Sequence, residues 1–87
     1  MNDPLADEVA TWRTKVGLTA KQLQLLLGVT PAAWYRWLKG GAIATRHRPR
    51  VQAVVEALEA TDAIEGLSRN PVRLAAQVEA IARGLSE

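Results

Sequence analysis

Residues 19–40, TAKQLQLLLGVTPAAWYRWLKG, decide how the chain folds. Thr19 is followed three residues later by Gln22, the spacing of a capping box: the Thr hydroxyl accepts from the backbone N–H of Gln22 and the Gln amide reaches back. Leu18 and Leu23 flank this start at the spacing of a hydrophobic staple. Gly28 ends the first short helix by taking the left-handed conformation that side chains avoid. A second helix begins at once. Thr30 is a preferred N-cap, Pro31 suits the first helical position, and Val29 and Trp34 repeat the staple. Two short helices joined by Gly28-Val29-Thr30 predict a sharp crossing, a helix-turn-helix, closed by Gly40-Gly41.

The rest of the chain supplies a scaffold. Asp3-Pro4 caps a helix over about 4–16, whose stripe is Leu5, Val9, Trp12 and Val16, with Gly17 as its stop. The motif helices cover about 20–27 and 31–39. A connection rich in Gly and Arg follows, pinned by Ile43. Pro49 opens a helix over about 49–62 with Val51, Val54, Val55 and Leu58 facing inward. After a loop over 63–69, Asn70-Pro71 caps a last helix over about 71–83, with Gly84 as its stop. No alternating pattern for strands occurs, so the expectation is all-α: a compact five-helix, single domain over 1–87. Eighty-seven residues leave no room for a second, ligand-sensing domain.

Residues 19–40 resemble the phage repressor/Cro helix-turn-helix family, through Leu18-Thr19, Leu23, Gly28-Val29-Thr30, Trp34, Trp37 and Gly40. The likeness covers roughly residues 10–60. Gln24 departs from it, standing where the family usually has Ala at the close approach of the two helices. The resemblance implies a DNA-binding regulator. It also implies the habit of short family members, phage or mobile-element regulators that repress their own operon.

Charge and helical geometry point the same way. Residues 9–55 carry eight Lys or Arg and no acid, and this block contains the whole motif. Such a patch is an electrostatic footprint for phosphate, or else a solvated basic surface. At 100° per residue, Trp34, Trp37 and Leu38 fall on the core side of the second motif helix. Ala32, Arg36 and Lys39 fall opposite, flanked by Tyr35 and Ala33. Base contacts are therefore expected from Arg36, Tyr35, Ala32 and Ala33. Arg36 matches guanine O6 and N7, or holds a phosphate or a surface ion pair. Tyr35 donates its hydroxyl, or packs on its own helix. The two alanines suit a thymine methyl. Phosphate contacts are expected from Thr19, Lys21, Thr30, Lys39, Arg46, Arg48 and Arg50, with the loop arginines alternatively entering a narrow minor groove or lying in solvent.

A single such unit binds weakly, so the expected partner is a palindromic double-stranded DNA operator bound by a homodimer. Residues 63–87 carry the candidate dimer stripe, Leu74, Val78, Ile81 and Leu85, which can equally pack on its own domain. The other function kept open is an antitoxin-like protein-interaction module whose helix-turn-helix serves autoregulation. RNA binding is disfavoured because the aromatic residues read as buried, leaving no stacking platform. His47 stands alone without partners for a metal, there is no cysteine, and no cofactor motif occurs. No nucleophile, base and orienter occur at a recognisable spacing, so no enzyme is expected. No signal peptide or apolar run of membrane-spanning length is visible, and the expected location is cytoplasmic.

Overall fold

The structure, a computed structural model, describes residues 3–86, and these form helices, turns and loops with no strand. Five α-helices follow in order: α1 Pro4–Val16, α2 Ala20–Leu27, α3 Pro31–Leu38, α4 Arg48–Glu65 and α5 Pro71–Ser86. A short 3₁₀ turn, Thr45–His47, leads into α4.

The helix starts are built by local side chains. Asp3 Oδ1 accepts from the Leu5 N–H at 3.0 Å and caps α1. At α2 the capping box is complete: Gln22 N–H donates to Thr19 Oγ1 at 3.1 Å, and Thr19 N–H donates to Gln22 Oε1 at 2.9 Å. Gly17 and Gly28 end α1 and α2 with φ of 75° and 69°. At α3 the cap differs from expectation. Thr30 has the extended backbone of an N-cap, but its hydroxyl makes no capping hydrogen bond.

Two helix ends depart from the boundaries expected above. Residues 63–65 were expected in a loop but extend α4, because nothing in Ala63-Ile64-Glu65 breaks a helix before Gly66 turns the chain with φ 74°. Gly84 does not stop α5. A glycine inside a helix costs roughly 1 kcal/mol, and here Leu85 packs against the core beyond it and draws the last turn on.

The core forms where α4 meets its neighbours. α1 packs on α4 and α3, α2 on α5 and α4, and α5 on α4. Trp34, Leu26 and Val51 are wholly enclosed, and Ile43 is buried as expected. Gln24 is exposed, so its larger side chain does not wedge α2 from α3. The stripe of α5 is spent inside this core. Leu74, Val78 and Ile81 are 4%, 1% and 9% exposed and Leu85 is half-buried, so the expected dimer surface is an internal packing face. The period of the stripe gave the buried side of α5 correctly; its partners are α2 and α4 of the same chain.

Gln77 is the buried polar side chain of this region. It accepts from Ser68 N–H at 2.9 Å and donates to Glu65 Oε1 at 3.0 Å and Gly66 O at 2.9 Å, stitching the loop between α4 and α5. Its place one turn from Leu74 and Ile81 was a legible sign of an inward-facing position.

Candidate nucleic-acid interface

α3 is short and strongly two-sided. Trp34 is fully buried and Trp37 nearly so, while Ala32, Tyr35, Arg36 and Lys39 are exposed. Ala33, expected beside the reading face, is half-buried against the core instead. Trp34 is gripped from two sides. Tyr35 stacks on it with ring centroids 4.1 Å apart, and the Arg13 guanidinium lies 5.4 Å from its ring centroid. Its indole N–H is buried without an acceptor among the described residues. That orphan costs about 1–3 kcal/mol, which burial of the large ring offsets. The Tyr35 ring therefore packs on its own helix, while the residue remains 44% exposed.

The end of α3 is shaped by a close approach. Gly41 N–H donates to Arg36 O at 3.0 Å, and a Cβ on Gly41 would lie 2.8 Å from that oxygen. Glycine therefore lets the chain fold back beneath Arg36 while the guanidinium stays outside.

The eight bases of the block divide in two. Arg13 covers Trp34. Lys15 lies 4.8 Å from the Trp12 ring centroid and 3.8 Å from Asp62 Oδ2. Arg48 donates to Asp3 Oδ2 at 2.6 Å and Oδ1 at 3.4 Å, and Ile43 N–H donates to the same Oδ2 at 3.1 Å. These bonds, with that from Leu5, outweigh desolvation and hold the Asp3 carboxyl at about 2, the Arg48 hydrogen bond contributing most. Arg50 donates from Nε to Leu26 O at 2.8 Å, satisfying a carbonyl in the last turn of α2, and from Nη1 to Leu85 O at 3.4 Å. Arg48 and Arg50, both expected on phosphates, each commit two of their five guanidinium N–H donors to the protein itself, and the Arg48 side chain remains 43% exposed.

The other four, Lys21, Arg36, Lys39 and Arg46, are exposed. Arg46 donates to His47 Nε2 at 3.3 Å, and His47 tilts against Trp37 with centroids 5.7 Å apart. Among the described residues the side chains of Lys21, Arg36 and Lys39 make no ion pair or hydrogen bond. Thr19 and Thr30 are exposed at the starts of α2 and α3. The Thr19 oxygen accepts from Gln22 and keeps its proton for an acceptor, whereas the Thr30 hydroxyl is free of any cap bond.

Among the described residues no three His, Cys, Asp or Glu side chains cluster as metal ligands. No described helix is long and apolar enough to cross a membrane. Comparison of the chain with protein-family models, curated proteins and solved structures finds no match.

Proposed function

We propose that the protein is a sequence-specific regulator of transcription that binds double-stranded DNA as a homodimer. In this reading it represses its own operon from an inverted repeat, in the cytoplasm, as phage and mobile-element regulators of the resembled family do. The supporting observation is the two-sidedness of α3: Trp34 and Trp37 anchor it, while Ala32, Tyr35, Arg36 and Lys39 lie on its outer side. A helix so mounted fits the major groove with its N-terminal half toward the base edges. Arg36 reads guanine, Ala32 meets a thymine methyl, and Tyr35 donates its hydroxyl. Thr19, Lys21, Thr30, Lys39 and Arg46 hold phosphates on either side.

The test is a gel shift with the DNA just upstream of the gene, against scrambled duplex and single strands. Arg36→Ala should cost about 1–3 kcal/mol of discrimination while leaving non-specific affinity nearly intact. Arg46→Ala should weaken all duplexes alike and lower the salt slope by roughly one. Equal affinity for duplex and single strands at every salt concentration would end the reading. If Arg36→Ala weakens all duplexes equally, that residue holds a phosphate only.

A further inference from the structure

The connection between α3 and α4 carries the chain's only histidine, which has no part in the DNA contacts proposed so far. Its backbone is well fixed. The 3₁₀ turn Thr45–His47 is closed by the His47 N–H, which donates to Ala44 O at 2.9 Å. Asp3 holds the chain on either side of this turn, through the Ile43 N–H at 3.1 Å and the Arg48 guanidinium at 2.6 Å. The side chains of residues 46 and 47 therefore leave from a segment tied down at both ends. His47 is half-buried, and its ring lies tilted against Trp37, with centroids 5.7 Å apart. Trp37 is buried at the end of α3. Arg46 is exposed and donates from Nε to His47 Nε2 at 3.3 Å.

That one bond fixes the chemistry of both side chains. A guanidinium has no lone pair to offer, so Nε2 is the bare nitrogen of a neutral imidazole and the ring proton sits on Nδ1. Among the described residues no other hydrogen bond or ion pair holds Arg46. Its Nη1 and Nη2 keep all their N–H groups, the end-on pair that fits two oxygens of one phosphate. We propose that His47 is a positioning residue for DNA binding: seated on Trp37, it holds Arg46 by Nε and presents the free end of the guanidinium to a backbone phosphate beside the groove that α3 enters. Trp37 matters because it belongs to α3. The path Arg46–His47–Trp37 sets the distance between the base-reading side of that helix and the flanking phosphate. An arginine already held at Nε also has less rotamer freedom to lose on binding. The effect falls on a phosphate, so it strengthens every duplex and carries no base preference.

The inference rests on the regulator reading for the identity of the anion, but its first readout needs no DNA. Free imidazole in water favours the proton on Nε2, whereas this clamp requires it on Nδ1. Nitrogen–proton correlation spectra of the labelled full chain show which form is present, and a single histidine assigns its own ring signals. At about pH 8, where an ordinary imidazole is neutral, the wild type should show the Nδ1–H form, and Arg46→Ala should restore the Nε2–H form. The second readout is duplex affinity. His47→Phe keeps a ring on Trp37 and removes the acceptor. It should weaken every duplex about three- to tenfold, the scale of one hydrogen bond, with salt slope, helix content and melting temperature unchanged. Arg46→Ala should weaken binding further. Adding His47→Phe to Arg46→Ala should then change nothing, because His47 acts only through Arg46. An Nε2–H ring in the wild type overturns the proposal, as do losses that add in the double variant. A protein that shifts an inverted repeat with an Nε2–H ring keeps the regulator reading and loses the clamp. An Nδ1–H ring that depends on Arg46, in a protein that shifts no duplex, supports the clamp and overturns the regulator reading.

Discussion

At the scale of single residues, Asp3 joins the start of α1 to the connection between α3 and α4 with one carboxylate. Its oxygens cap α1, hold the Ile43 N–H and pair with Arg48. Its folded pKa is about 2, below the ordinary 3.8. The sign follows from linkage: the ionised form is favoured by folding, so its contribution is complete above about pH 4 and is lost as pH falls toward 2. Asp3→Asn keeps an acceptor for the α1 cap but removes the charge. It should lower stability at neutral pH and flatten the acid limb between those values, measured by urea midpoints at successive pH. Parallel acid limbs in the two proteins would show that the pair contributes nothing. The sequence marked Asp3 only as a cap, because Arg48 lies 45 residues away. Likewise Arg46, Arg48 and Arg50 look alike in sequence; long-range acceptors take the second and third and leave the first outside.

At the scale of elements, the two motif helices begin with threonines that behave differently. Thr19 is followed at the third position by Gln22, and both capping bonds form. Thr30 has Ala33 there and no side-chain cap bond. Thr19→Ala should therefore cost about 1 kcal/mol of stability, and Thr30→Ala distinctly less, while weakening DNA binding through a lost phosphate contact. Denaturant titration of both variants checks this; equal losses would mean that Thr30 caps α3 in solution. Helix starts were legible in the sequence because their signals are local side chains. The ends at 65 and 86 were not, since Ile64 continues without a breaker and Leu85 is recruited by the core. Gly84 reads as a stop only when that packing is ignored.

At the scale of the whole molecule, periodicity identified the buried sides of α1, α3, α4 and α5 but not the helices they face. The stripe of α5 was the clearest case: its spacing suits a partner protomer as well as α2 and α4. The outer side of α3 was legible because Trp34 and Trp37 leave Arg36 and Lys39 only one direction to point. Arg13 was missed, since its ring partner lies far along the chain. The Asp3–Arg48 clasp also bears on the order of events in folding. Closing a loop of 45 residues costs chain entropy before the contact gives any return. Helices with their own caps and short connections need no such closure, so the clasp forms after the rate-limiting barrier. In stopped-flow chevrons, Asp3→Asn should raise the unfolding arm and leave the refolding arm in place. A slower refolding arm would put the clasp in the transition state. With a late clasp, release of the α3–α4 connection that carries Arg46 comes early in unfolding, and α3 loses its brace before the core melts.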